Sequence, residues 1–502
     1  MECMWPLLGF VVLLLLTSPA HGDGPPQRDQ PHPPSIHARQ LQYWNQQPTR
    51  DWKRIGPQAP KTWPRHERAM TQTHHVLGFH PYWMGTNYLA YDWSTLHTVV
   101  FFGLELDAAG GISNAHGWPW TQLVQHAHDH GARVLVAATQ FSSTDLATLL
   151  GSATYRSTAV ANLVNAMLQG KADGLCLDFE AIPGTRKQQY VDFADELRDA
   201  MDISLPQSVL IITTPAVDWN NAYDYDELAA RSDYLMLMAY DYHWSGSTTS
   251  GPVAPLSGWG TYNVSWSIQD HLVWGAPPRK LLLGVPYYGY RWGTTSADAG
   301  ASTATTGTAL TYGNVQPLLP QQEELWDASS QTPWLRVQDP DWQQTWFDDA
   351  SSLGAKYTTV LNEDLAGVGI WALGYDDPYT ALWNALHDAF DQVTSDRSDA
   401  FAPNASPLRV LSRNPFSTEV TLRLVLLPQT EVRQDPERTS HLVRIFDSRG
   451  RLVQTLRPLV VWSTSAQFIW DGRSRHGTMT VPGIYFARAD TSVRTVRLIK
   501  LR

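Results

Sequence analysis

Between His74 and about Phe390 the chain alternates short runs of β-branched and aromatic residues with longer stretches of helical period, the pattern of repeated βα units around a parallel sheet. Eight runs carry it, at residues 75–82, 98–105, 133–140, 174–180, 209–215, 234–241, 281–288 and 368–374. Eight strands in about 320 residues predict an α/β fold, a (β/α)8 TIM barrel. Count and span favour it over an open doubly wound sheet, because no glycine-rich phosphate loop follows the first strand. Residues 289–366 are too many for one βα connection, which predicts an insertion after the seventh strand, on the rim that carries barrel active sites.

The flanking segments break this rhythm. An apolar run at residues 7–16, followed by Thr17, Ser18, Pro19 and Ala20, has the length of a secretory core and is too short to span a bilayer, so residues 1–22 read as a signal peptide. Glu2 and the lack of Lys or Arg ahead of the run leave a retained anchor as the alternative. Residues 23–72 are rich in Pro, Gln, His and Arg with no sustained apolar period and are expected to be a poorly ordered linker of no assigned function. The barrel is expected over 73–392, a second linker over 393–405, and a small all-β sandwich over 406–502. In that last segment the runs 420–427, 442–447, 467–470 and 483–489 are separated by turns such as Asp471-Gly472 and Pro482-Gly483.

Composition narrows the chemistry. The 502 residues are enough for two to four domains, and the net charge of −11 is unevenly spread: residues 403–502 carry +9 and residues 1–402 carry −20. A phosphate backbone needs clustered cations, so the acidic part is expected to bind no nucleic acid and to suit a neutral substrate. The two cysteines, Cys3 in the leader and Cys176, make no disulfide framework. The 22 Trp, 20 Tyr and 14 Phe supply flat rings for a core and for platforms under pyranose faces.

The segment Asp173-Gly174-Leu175-Cys176-Leu177-Asp178-Phe179-Glu180 is the most informative. Strand period two sends Leu175, Leu177 and Phe179 toward the helices, and Cys176, Asp178 and Glu180 toward the barrel axis. Two adjacent inward acids at the C-terminal end of a barrel strand cost too much desolvation to be neutral packing. Like charge and burial raise one pKa, as a general acid near neutrality requires. A solvated acid pair merely closing a strand is the competing view, and the interleaved apolar residues speak against it.

This segment resembles the D-G-x-D-x-D-x-E signature of glycoside hydrolase family 18, with Cys176 where chitinases carry the middle Asp. Met238-Ala239-Tyr240-Asp241 resembles that family's sixth-strand motif, Gly284-Val285-Pro286-Tyr287-Tyr288-Gly289 its seventh, and Gly369-Ile370-Trp371 its closing one. The wording around Tyr240-Asp241-Tyr242-His243-Trp244 is most similar to the spore-cortex and peptidoglycan-acting branch. The resemblance implies substrate-assisted hydrolysis, in which the 2-acetamido group of the sugar attacks the anomeric carbon. It implies Glu180 as acid and base, Asp178 orienting the acetamide, and Tyr240 donating to its carbonyl oxygen. Asp241, Trp371, Met238 and Tyr288 would bind substrate, and no cofactor or metal is implied. The thiol at Cys176 cannot share a proton as a carboxylate does, which implies lower activity or a shifted pH optimum. A nucleophilic Cys176 is the disfavoured alternative, since a buried barrel-axis thiol is usually inert.

Other features weigh less. His126, His128 and His130 have partial metal-ligand spacing on an outer helix but no accompanying carboxylates, and Asp173 reads as structural. Trp118, Trp120, Trp244, Trp259 and Trp266 divide between packing and sugar platforms. Asn263-Val264-Ser265 and Asn404-Ala405-Ser406 match the N-glycosylation triplet. The tail, through Arg444-Ile445-Phe446-Asp447, Trp470-Asp471-Gly472-Arg473 and Pro482-Gly483-Ile484-Tyr485-Phe486, resembles the immunoglobulin-like modules of hook-capping and type IX secretion domains, which implies contact with a cell surface or secretion machinery. The expected protein is a secreted or cell-surface glycosidase cleaving β-1,4 bonds in a polysaccharide that contains N-acetylglucosamine, chitin or peptidoglycan. The alternatives are a non-catalytic lectin-like barrel and an endo-β-N-acetylglucosaminidase acting on N-glycans.

Overall fold

The computed structural model describes residues 34–54 except 49, residues 74–390, and, in the C-terminal part, 408–410, 419–425, 442–447, 451–461, 465–489 except 476, and 496–500. The leader at 1–22 and the linker at 393–405 lie outside the described residues. The chain divides into two compact units, residues 1–394 and 395–502.

Eight parallel strands close the barrel of the first unit: β1 (His75–Pro81), β2 (Thr98–Leu106), β4 (Arg133–Gln140), β5 (Gly174–Phe179), β6 (Val209–Pro215), β7 (Tyr234–Met238), β8 (Leu281–Pro286) and β14 (Gly367–Trp371). β1 pairs with both β14 and β2, which shuts the ring. A short strand β3 (Ile112–Asn114) folds back on β2. These are the eight runs read from the sequence, because a parallel sheet covered by helices buries both faces of each strand and leaves a near-continuous apolar signal. The sixth run is shorter than expected: β7 ends at Met238, and the chain then turns through Asp241 at φ +61°, a left-handed conformation that Asp tolerates.

Helices α2 (Thr121–Asp129), α3 (Ser143–Gly151), α4 (Ala153–Gly170), α5 (Lys187–Ser204), α6 (Tyr225–Arg231), α7 (Val264–Val273), α9 (Ala350–Asn362) and α10 (Ala381–Phe390) follow the strands. The β1–β2 connection is an irregular 3-10 stretch, Tyr82–Ala90, broken at Gly85. Two acids fasten the starts of strands to their neighbours. Asp173 accepts from the Val134 N–H at 2.7 Å and Asp233 from the Leu210 N–H at 2.8 Å.

The insertion after the seventh strand is present and narrower than residues 289–366. It is an antiparallel sheet of β9 (Tyr288–Thr294), β10 (Thr308–Thr311), β11 (Glu323–Asp327), β12 (Thr332–Gln338) and β13 (Trp342–Trp346) in the order β10-β9-β13-β12-β11, and α9 after it is the ordinary barrel helix. A short helix α8 (Tyr312–Val315) joins β10 to β11. Trp334 and Trp346 stack at 5.0 Å in its core.

One expectation is corrected. Within residues 23–72, Ile36–Asn45 forms a regular helix, α1, capped by the Ser35 side chain and packed on the barrel, with Ile36, His37 and Leu41 buried. Ser35 follows two prolines, no Gly or Pro interrupts the next eleven residues, and Ile36, Leu41 and Trp44 share a face. Ten residues were too few for a sustained period to stand out from the polar background.

In the second unit two four-stranded antiparallel sheets form, one of β15 (Leu408–Val410), β16 (Val420–Val425), β19 (Val460–Val461) and β20 (Ser465–Trp470), the other of β17 (Val443–Asp447), β18 (Leu452–Leu456), β21 (Gly483–Ala489) and β22 (Val496–Lys500). Leu422, Phe468 and Trp470 of the first share one core with Ile445, Tyr485 and Leu498 of the second, the packing of a sandwich. No helix among the described residues is long and apolar enough to cross a membrane.

Gly174 opens β5 where a Cβ would lie 1.9 Å from the Val209 carbonyl oxygen, so Gly174→Ala must part β5 from β6 and is expected to cost about 1–3 kcal/mol. Gly354 in α9 has open space around it, and Gly354→Ala is expected to stabilise by about 0.5–1 kcal/mol. Urea denaturation of the two variants checks both signs.

Candidate active site

The site grows from the alternation along β5. Phe179 points outward, stacking on Tyr190 and Phe193 of α5 at 6.0 and 5.5 Å. Asp178 is fully buried, and its Oδ1 accepts from Thr213 Oγ1 of β6 at 2.7 Å. Glu180 follows the strand, nearly buried, its own N–H donating to the Gln140 carbonyl at 3.1 Å. Cys176 lies below them, fully buried, and burial followed by the charge of Asp178 raises its thiol well above the ordinary range. A thiol held protonated is no nucleophile.

Three more strand ends complete the pocket. Met238 ends β7, buried, two residues before Tyr240. Asp241 Oδ1 accepts from Tyr288 Oη at 2.6 Å and Tyr290 Oη at 3.3 Å, both residues of β9. The Tyr240 and Tyr288 rings meet edge to face at 6.1 Å. Trp371 ends β14 as a fully buried indole. Contacts thus gather Asp178, Glu180, Tyr240, Asp241, Tyr288 and Trp371 at one mouth of the barrel.

Electrostatics acts strongly on Glu180 and Tyr240. Burial and then the Asp178 charge push the Glu180 carboxyl up to about 8, with His37 and Ser35 pulling partly back. Glu180 is therefore the acid that keeps a proton near neutrality. Burial, then Asp178 and Glu180, raise Tyr240 well above the phenol range, so it stays a hydrogen-bond donor.

Four further residues reach this mouth that no motif pointed to, all from α1 and its cap. Ser35 Oγ donates to Glu180 Oε1 at 2.8 Å. His37 is fully buried with Nδ1 2.8 Å from Asp178 Oδ2 and Nε2 2.8 Å from Tyr240 Oη, and its ring stacks on Trp371 at 3.6 Å and 26°. Burial opposes charge on His37, but the charge and hydrogen bond of Asp178, with Glu180 and Asp241, outweigh it and raise its pKa. Arg39 Nη2 donates to Asp241 Oδ2 at 2.8 Å and also meets Tyr290 Oη. Gln40 Oε1 accepts from Trp371 Nε1 at 3.0 Å and Tyr375 Oη at 2.8 Å.

His37, Asp178 and Glu180 place one atom each within 4.8 Å of one another, the only such group among the described residues. Ligands on a tetrahedral ion with bonds of about 2.0–2.1 Å stand about 3.3 Å apart, so the 2.8 Å His37–Asp178 contact is a hydrogen bond rather than a ligand edge. The histidines of α2 go elsewhere. His128 Nε2 meets Asp173 Oδ2 at 2.8 Å, and the rings of His126 and His130 lie 5.3 and 5.7 Å from that of Trp93. Trp120 is buried, Trp118 donates to the Ala166 carbonyl and Trp259 to Asp327, while Trp244 lies under Arg39 at 5.4 Å. Trp266 meets the ring of Tyr262 at 4.8 Å. Asn263 caps α7, accepting from the Trp266 N–H, and Asn404 lies outside the described residues.

The model of the glycosyl hydrolases family 18 matches residues 72–376. The chain is 24% identical over 315 residues to human di-N-acetylchitobiase, which covers 56% of this chain and 74% of that protein. It is 26% identical over 240 residues to the cortical fragment-lytic enzyme of Bacillus subtilis (strain 168), covering 46% of this chain and 52% of that one. Of several curated relatives the chain spans about half the length, 52 to 54%. Among solved structures, the Rhizomucor miehei chitinase superposes at a TM-score of 0.57 with 22% identity, over 63% of this chain and 99% of that one.

Cys176, held protonated out of solvent, is expected to resist iodoacetamide at pH 8 in the native chain and to react in guanidinium. Peptide mapping that found native alkylation at Cys176 would contradict the buried placement.

Proposed function

Since the chain belongs to glycosyl hydrolase family 18, we propose that it is a secreted, metal-independent glycosidase that cleaves β-1,4 bonds beside N-acetylglucosamine with net retention. The observation that carries this reading is Glu180 buried beside Asp178, its carboxyl pushed up to about 8, at the mouth that also holds Tyr240 and Trp371. Glu180 donates its proton to the glycosidic oxygen as that bond breaks, and the acetamido oxygen of the same sugar closes on the anomeric carbon. Asp178, oriented by Thr213, accepts from the acetamido N–H and stabilises the positive charge that develops there. Tyr240 donates to the acetamido oxygen and holds it in line. The ionised Glu180 then takes a proton from water as it opens the ring on the same face. Trp371 supports the sugar and excludes water, and Asp241, tied to Tyr288, gives a polar contact at its edge. Met238 lines the pocket.

Chitin and peptidoglycan are both carried as substrates: the wording from Tyr240 to Trp244 leans toward peptidoglycan, while the acidic charge of residues 1–402 and the likeness to di-N-acetylchitobiase lean toward a neutral chitooligosaccharide. Export rests on the apolar run at 7–16, and the N-terminal sequence of extracellular protein is the check. The C-terminal sandwich is the part suited to a surface or secretion partner, its chain being basic where the barrel is acidic.

Chitooligosaccharides and purified peptidoglycan, each incubated at saturating concentration with the full chain and with Glu180→Gln, test this reading. Release of β-anomeric reducing ends is expected from the native chain, with kcat lower by about 10²–10⁴-fold in the variant. No release from either, with both retained on the polymer, would establish the lectin-like alternative. Because the acid works only while protonated, activity is expected to hold below about pH 8 and to fall as pH rises through that value. A profile that instead climbs through pH 8 excludes Glu180 as the acid.

A further inference from the structure

Glu180, Asp178, Tyr240, Asp241 and Trp371, five of the groups proposed to act on the sugar, are engaged by residues 35–40 of the same chain. The imidazole of His37 lies over Trp371 where the sugar would rest. Nδ1 stands 2.8 Å from Asp178 Oδ2 and Nε2 2.8 Å from Tyr240 Oη. The two nitrogens flank one carbon, as the nitrogen and oxygen of an amide do, so the ring sets two polar atoms against the carboxyl and the phenol that would hold an acetamido group. Ser35 Oγ occupies Glu180 Oε1, on the carboxyl that would otherwise meet the glycosidic oxygen, and the Ile36 N–H and Arg39 occupy Asp241. Arg39 also lies over the faces of Trp244 and Tyr290, at 5.4 and 5.6 Å. Beyond the pocket Trp44 stacks parallel to Trp83, and Asn45 donates to Glu105 at 2.9 Å.

We propose, resting on the glycosidase reading, that residues 35–45 are an intramolecular plug that closes the sugar site by imitating the substrate's acetamido group. A helix of ten residues is marginal alone in water, so α1 draws its order from docking, and glycan can displace it without unfolding the barrel. A tethered competitor divides the population into closed and open forms. Apparent KM rises by the inverse of the open fraction, while kcat at saturation is unchanged.

Hydrogen exchange of the α1 amides, together with kcat and KM on a fluorogenic chitobioside, tests the plug in the full chain and in a His37→Ala, Arg39→Glu double variant. The α1 amides should be protected in the native chain, exchange at least tenfold faster in the variant, and lose protection when triacetylchitotriose is added to the native chain. The variant should show KM at least tenfold lower with kcat within about twofold. Amides that exchange equally fast in both proteins, or a variant that turns over substrate with KM unchanged or raised, overturn the plug. If neither protein hydrolyses anything, the glycosidase reading falls by itself, and protection that the variant and the trisaccharide both abolish still establishes a plug on a sugar-binding site.

Discussion

Two carboxyl groups share one buried pocket at the end of β5, and most of the arrangement around them follows from the cost of keeping charge there. Ionising both within 4.8 Å and away from water is prohibitive, so one keeps its proton and the other must be met by donors. Thr213 meets Asp178 from the neighbouring strand and Glu180 holds the proton, its pKa raised by the same burial. Tyr240, kept neutral, supplies an O–H that the pair cannot take away. The charge problem thus gathers a carboxyl with a raised pKa, a second carboxyl met by a hydroxyl, and a neutral phenol in one small pocket.

The barrel makes this constraint affordable. Strands that bury both faces give a rigid ring, and chemistry is added only where each strand ends. Asp173 and Asp233 bind the opposite ends of β5 and β7, so the strand carrying the acids and the strand preceding Tyr240 are held from below. The insertion sheet contributes Tyr288 and Tyr290, which hold Asp241 from the side. Helix α1 then meets the same polar groups with its own, and its histidine is drawn toward positive charge by the carboxylates that surround it.

Much of this was legible in the residues. The eight strands announced themselves because parallel strands buried on both faces leave unbroken apolar runs, and the D-x-E alternation told which side of β5 faces the axis. The motifs containing Tyr240, Tyr288 and Trp371 pointed to strand ends, although only the closed ring of β1, β2 and β14 brings them to one mouth. Strand limits were less legible. The run through Asp241 continues in β-prone residues, while the chain leaves the sheet at Met238 to turn Tyr240 inward.

The barrel, the acid pair and the order of the surrounding residues are written in the chain itself, because periodicity and local chemistry are properties of neighbours along it. The place of the polar segment before the barrel emerges only on folding. Ser35, His37, Arg39 and Gln40 lie from 141 to 331 positions from their partners Asp178, Glu180, Tyr240, Asp241 and Trp371. No local pattern encodes such a pairing: a histidine in a short helix amid prolines and glutamines has no distinguishing neighbours until the barrel mouth supplies them.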